Sequence, residues 1–175
     1  MRASVLLVFG FAALAFNTLQ PSPAMAQSSG AGCVLEPADA GRSILRCDDG
    51  LSITVEQGAR YSLVDRNSDG KADAARLRSK ALLIDGPAGA ASGFKVVTPQ
   101  AIAAVRGTRW AVDVGGGKTA VFVVRGRVTV KRASGGADVV LKPGEGVDVD
   151  GGRGPLTVKR WPAARVAALL ARLGQ

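Results

Sequence analysis

The stretch from residue 96 to residue 130 constrains the fold of this chain most strongly. It reads VVTPQAIAAVRGTRWAVDVGGGKTAVFVVRGRVTV, in which short runs of alternating apolar residues are separated by glycine-containing turns. Alternation with a period of two is typical of β-strands that bury one face. The tripeptide Val-Arg-Gly occurs at 105–107 and again at 124–126. That spacing is close to the length of two strands and two turns, so the pattern predicts stacked β units.

Further short segments extend this pattern over most of the chain. They predict strands at 43–47, 51–56, 60–64, 74–77, 81–85, 95–98, 101–105, 110–114, 119–124, 127–132, 138–141 and 147–150. The pair at 74–77 and 81–85 could equally form one helix, because Ala, Leu, Arg and Lys are good helix formers. The sequence as a whole predicts a mainly β, single domain of stacked short strands, either β-solenoid-like or a β-sandwich.

One helix is predicted at the end of the chain, after Pro162. Four aliphatic residues there have the i, i+3, i+4, i+7 spacing of one helix face: Val166, Leu169, Leu170 and Leu173. We expect this helix to cap the open end of the β stack, where it would cover an edge that could otherwise pair with other chains. The alternative is a helix lying on a membrane surface, although its apolar face is short.

The first residues predict an export signal. Arg2 precedes an apolar run over 3–16, and the small residues Ala24 and Ala26 form a signal-peptidase pattern. A retained membrane anchor is the weaker alternative, because a spanning helix needs roughly twenty apolar residues. We expect cleavage after Ala26 and a periplasmic or secreted protein.

The mature chain then divides into three predicted segments. These are a flexible, disulfide-tethered N-terminus at 27–42, a β domain at 43–160 and a helix at 161–175. The tether is a disulfide between Cys33 and Cys47, the two cysteines of the sequence, which an oxidising compartment favours. The alternative is a pair of reduced, buried thiols.

The sequence contains no histidine. This excludes His-dependent nucleophilic triads, His acid–base catalysis and the common His-containing zinc sites. No nucleophile has a visible base beside it. We therefore expect no catalytic residues and a non-enzymatic protein.

Positive charge is concentrated in the last hundred residues. Residues 27–75 contain five Lys/Arg and eight Asp/Glu, whereas 76–175 contain seventeen and six. A basic surface favours an anionic partner, here an envelope protein or an anionic glycan, with membrane contact peripheral at most. Nucleic acid is a poor candidate, because an exported chain seldom meets it and few aromatic residues are present for base stacking. The alternative is a solvated basic surface that only maintains solubility.

Four arginines beside the Val-Arg-Gly tripeptides are candidate partner-binding residues: Arg106, Arg109, Arg125 and Arg127. For Arg106 and Arg109 the alternative is that Trp110 fills the core and that these two arginines point to solvent or pair with Asp113.

The segment 65–73, DRNSDGKAD, resembles the start of a calcium-binding loop. Its candidate oxygen ligands occupy positions 1, 3, 5 and 9 of such a loop: Asp65, Asn67, Asp69 and Asp73. Position 12 is Arg76, where a bidentate acid is expected. A metal-free Asp/Asn/Gly turn is the simpler interpretation, and a calcium-stabilised structural module is the alternative function. We expect no cofactor apart from this candidate calcium ion.

Residues 98–108, TPQAIAAVRGT, followed by a strand, a glycine tip and GRVTV at 126–130, resemble the FecR domain family. The segment LKPGEG at 141–146 is also similar to that family. The resemblance implies an all-β, solenoid-like stack in the periplasm that acts as an interaction or signalling module, with no catalytic residues. The best-known members are transmembrane regulators with a cytoplasmic segment ahead of the apolar run. We do not expect that regulator function here, because this sequence has no such segment.

Overall fold

The computed structural model describes residues 27–28, 31–87, 93–105 and 107–175. The predicted export signal at 1–26 lies outside these residues. The strands are β1 (Gln27–Ser28), β2 (Cys33–Pro37), β3 (Ser43–Cys47), β4 (Ser52–Val55), β5 (Arg60–Val64), β6 (Ala74–Asp85), β7 (Lys95–Val97), β8 (Ala101–Val105), β9 (Arg109–Gly115), β10 (Lys118–Arg125), β11 (Val128–Arg132), β12 (Val139–Leu141), β13 (Glu145–Val149) and β14 (Lys159–Arg160). A short 3-10 turn covers Asp39–Gly41, and one α-helix, α1, covers Ala163–Arg172. The prediction of a mainly β fold with a C-terminal helix is confirmed.

The strands form one curled sheet that folds into two layers. Sheet I has the order β1-β2-β3-β4-β6-β9-β10-β13-β14, and sheet II has the order β5-β6-β7-β8-β11-β12. Among the described strands the pairs are antiparallel, except that β6 and β7 are parallel. A solenoid would stack its coils in parallel, so the layered sandwich is the arrangement that this chain adopts.

Strand β6 belongs to both layers, and it replaces the two strands or the helix predicted between residues 74 and 85. Its first half pairs with β5 and β7, and its second half pairs with β4 and β9. Lys80, with a φ of 68°, marks the change of direction. Strand neighbours on both sides of each half satisfy the backbone of β6, and this tertiary pairing overrides its helix propensity.

The two Val-Arg-Gly tripeptides mark the places where the chain crosses between the sheets. The first joins β8 of sheet II to β9 of sheet I, and the second joins β10 of sheet I to β11 of sheet II. Gly107 and Gly126 both have positive φ. A Cβ on Gly126 would lie 2.3 Å from Thr108 Cγ2, so the two crossings pack directly against each other. The repeat in the sequence therefore reflects paired crossings of a sandwich.

The main core lies between the two sheets. Sheet I contributes the fully buried Trp110 together with alternate residues of β4, β6, β10 and β13, and sheet II contributes alternate residues of β6, β7, β8 and β11. A buried hydrogen bond of 2.8 Å between Thr98 Oγ1 and Thr119 Oγ1 links the β7–β8 turn to β10. Each sheet thus turns one face inward and presents the other outward.

Helix α1 lies on the outer face of sheet I. Leu169 of α1 and Leu173, which directly follows the helix, are buried against the apolar outer positions of β6, β9 and β10. These positions are Ala81, Leu83, Ala111 and Phe122. The predicted C-terminal helix is present. It covers a face, because that face is apolar and would otherwise meet water.

No helix in the described ranges is long and apolar enough to cross a membrane. At the other end of the chain, residues 33–37 form β2 and pair with β3. This part of the predicted flexible N-terminus is a regular strand.

Candidate functional site

Three carboxylates on the outer face of sheet I pair with arginines of α1. Arg172 of α1 donates hydrogen bonds to both carboxylate oxygens of Asp113, at 2.7 and 2.9 Å, and to both of Glu56, at 2.6 and 2.9 Å. The hydrogen bonds to Asp113, and then those to Glu56, hold the pKa of the Arg172 guanidinium above its usual value. Arg165 pairs with Asp148 and lies 3.5 Å from the centre of the Trp161 ring. These contacts pin α1 to the sheet.

The outer face of sheet II, in contrast, carries cations that are not paired with carboxylates in the described part of the chain. We call it the basic face and define it by the outward residues of β6, β7, β8 and β11 together with Arg66 of the β5–β6 loop. Its cations are Arg66, Arg76, Arg78, Lys95 and Lys131. Within the described residues, none of these side chains forms an ion pair, and no helix lies over them.

A groove of about 370 Å³ runs over the basic face. It is lined by Arg66, Lys95, Val97, Ile102, Ala104, Thr129, Lys131 and Asp138. The strand register places Val97 opposite Ile102 and Lys95 opposite Ala104 on β7 and β8. On the other side, Lys131 of β11 lies opposite Ile102. The groove therefore has an aliphatic floor, cations on both sides and a single carboxylate, Asp138.

Three of the predicted partner-binding arginines, Arg109, Arg125 and Arg127, do not line this groove. Arg109 and Arg125 lie beside Asp85 of sheet I, at 3.6 and 3.0 Å. Arg127 is exposed and has no ion pair in the part of the chain that the structure describes, and Arg106 lies outside that part. Trp110 fills the core, as the alternative interpretation expected, but the partner of Asp113 is Arg172. The role of the arginines in binding stays a prediction.

The candidate calcium ligands lie together on the β5–β6 loop. Their oxygens accept hydrogen bonds from backbone amides of the same loop: Gly70 N to Asp65, Arg66 N to Asp73, Lys71 N to Asp69 and Asp69 N to Asn67. The hydrogen bond from Lys71 N is the main cause that lowers the pKa of Asp69. In the described ranges, no three His, Cys, Asp or Glu side chains converge to hold a metal ion. The calcium site stays a prediction.

Cys33 and Cys47 lie opposite each other on β2 and β3 and form a disulfide. Cys33 is buried in the main core. The bond therefore links the two strands of the N-terminal hairpin, β2 and β3, to each other.

The groove residues were not identified from the sequence. The sequence does contain the pattern of this groove: the outward positions 95, 129 and 131 are polar, and the outward positions 97, 102 and 104 are aliphatic. However, alternation does not show which outer face a helix will cover. That depends on the long-range pairing of β6 with β9 and on where α1 packs.

Comparisons with known proteins agree with this architecture. The family model described as FecR protein matches residues 35–129. Two crystal structures of a candidate anti-sigma factor from Parabacteroides distasonis ATCC 8503 are similar to the chain. They have 21% and 20% sequence identity, TM-scores of 0.58 and 0.59, and cover 77% and 79% of the chain.

At this level of identity the two structures show a shared fold. The chain spans 63% and 64% of the length of those proteins. No curated protein sequence gives a significant match.

Proposed function

The chain belongs to the FecR family, and on this premise we propose that it is an exported, non-enzymatic interaction and signalling module of the bacterial cell envelope. It binds an acidic partner through the basic face. The predicted export signal supports a location in the periplasm or outside the cell. The disulfide between β2 and β3 suits that oxidising environment.

The contrast between the two outer faces carries this proposal. On sheet I, Glu56, Asp113 and Asp148 neutralise the arginines of α1, and the helix covers the apolar residues. On sheet II, the cations of the basic face have no carboxylate partners within the described residues. An anion that approaches the basic face therefore has no internal competitor to displace.

A protein is favoured over a glycan as the partner. The structures that share the fold are those of a candidate anti-sigma factor, a name that implies a protein partner. We therefore propose that the module acts by binding and not by catalysis. Carboxylate-rich segments of an envelope protein are the natural ligands of the basic face.

Charge reversal on the basic face tests the proposal. We expect immobilised polyglutamate to retain the mature chain at low ionic strength and to release it as salt shortens the Debye length from about 10 Å at 0.1 M towards about 3 Å at 1 M. The double substitution Lys95→Glu and Lys131→Glu should abolish retention.

The matched control reverses two exposed cations elsewhere, Lys118→Glu in the β9–β10 hairpin and Arg153→Glu after β13. It changes the net charge equally and should leave most of the retention intact. Equal loss in both double variants would show that net charge, and not the basic face, determines binding.

A calcium-stabilised structural role of the 65–73 loop is the second candidate function. One observation favours it: Asp65 Oδ1 is buried and has no hydrogen-bond partner in the described part of the chain. Millimolar calcium, which suits weak extracellular sites, should then raise the Tm by about 3–5 °C. Asp69→Ala should remove that response. An unchanged Tm with calcium would leave the loop as a metal-free turn.

A further inference from the structure

We infer that the groove of the basic face binds a short extended peptide segment in which carboxylates flank an aliphatic side chain. This inference rests on the proposed function of the basic face and specifies its ligand. Three properties of the groove support it: the chemistry of its floor, the position of its cations and its dimensions.

The floor of the groove is aliphatic and accessible. Val97, Ile102 and Ala104 are half-buried outward residues of β7 and β8, and they lie beside each other in the strand register. Apolar residues at these positions would not strengthen a contact that depends on charge alone. A ligand that places an aliphatic side chain here removes both apolar surfaces from water.

The cations border this floor on two sides. Lys95 lies on β7 opposite Ala104, and Lys131 lies on β11 opposite Ile102. Arg66 reaches the same groove from the β5–β6 loop. Their long side chains place charge around an apolar centre, so carboxylates on both sides of an aliphatic residue are the complementary pattern.

The dimensions fit a few extended residues. The floor and its borders span β7, β8 and β11, which corresponds to two strand spacings or about 10 Å. Three residues of extended chain cover about the same length. A sequence of the type acidic–aliphatic–acidic therefore crosses the groove once.

Two other anionic ligands fit less well. A charged polysaccharide would use the cations but would leave the aliphatic floor without a partner. A planar membrane surface would not enter a groove.

Peptide binding to the mature chain tests the inference. We would measure fluorescence anisotropy with two labelled octapeptides, one alternating Glu and Leu and one alternating Glu and Gly. They carry equal charge, so a specific groove should bind the Glu/Leu peptide at least about tenfold more tightly, as expected for burying part of one leucine.

Two substitutions change the groove without changing its charge. Ala104→Trp should fill it and remove the preference for the Glu/Leu peptide. Ile102→Ser should weaken that preference without adding bulk. It keeps the inference testable if Ala104→Trp does not fold. The control Ala167→Trp places the same side chain on the exposed side of α1 and should leave binding unchanged. Circular dichroism would establish that each variant is folded.

The outcomes separate this inference from the proposed function. Equal affinity for the two peptides, or the same preference in the native chain and Ala104→Trp, would overturn the peptide groove. If polyglutamate retention still depended on Lys95 and Lys131, the basic face would remain supported as a surface that binds anions in general. Tighter binding of sulfated dextran than of the Glu/Leu peptide would also overturn the peptide groove, in favour of a polysaccharide ligand.

Discussion

At the scale of single residues, the Val-Arg-Gly repeat is explained by glycines at two crossings that touch. Gly126 has a φ of 86°, and a Cβ there would also approach Gly107 O to 3.0 Å. Two separate constraints therefore act on it, the left-handed backbone and the lack of space. The sequence repeat predicted stacked β units, but it did not show that the two crossings contact each other.

We predict that Gly126→Ala destabilises the fold more than Gly116→Ala. Gly116 also has positive φ, but a Cβ there would meet nothing within 4 Å. The left-handed backbone should cost about 1–2 kcal/mol at each position. The clash should add about 1–3 kcal/mol at Gly126. Urea unfolding of both variants measures the difference, and equal free energies of unfolding would contradict the packed crossings.

At the scale of elements, the period-two pattern predicted most strand positions within a residue or two. It failed where long-range pairing decides the structure. The residues of β6 have good helix propensity, yet β4, β5, β7 and β9 all pair with it and hold it extended. The helical stripe of α1 was also visible in the sequence. Its docking place was not, because it depends on the outward residues of three strands that are distant in sequence.

We predict that Leu169→Ala lowers the free energy of unfolding by about 2–4 kcal/mol, since Leu169 is buried between α1 and sheet I. Val166→Ala should cost less, because Val166 is only half-buried on the same helix. Urea unfolding with both variants checks the order. If Leu169→Ala proved as mild as Val166→Ala, α1 would not be packed on the sheet as described.

At the scale of the whole molecule, the two outer faces of the sandwich differ in charge pairing. The uneven charge along the sequence predicted a basic surface. The fold distributes the charged residues between the two outer faces. Paired arginines hold α1 on sheet I, while the cations of the basic face on sheet II have no ion-pair partner within the described residues. The arginines selected from the sequence were chosen because they lie next to the repeat. The sequence could not show that Asp85 would pair with two of them, Arg109 and Arg125.

The most direct test of the basic face is to locate a bound anion on the protein. We would titrate polyglutamate into the isotope-labelled mature chain and follow the backbone amide signals by NMR. We predict shifts concentrated in β7, β8 and β11, with the signals of α1 unchanged. Shifts centred on α1, or spread evenly over the surface, would contradict the account.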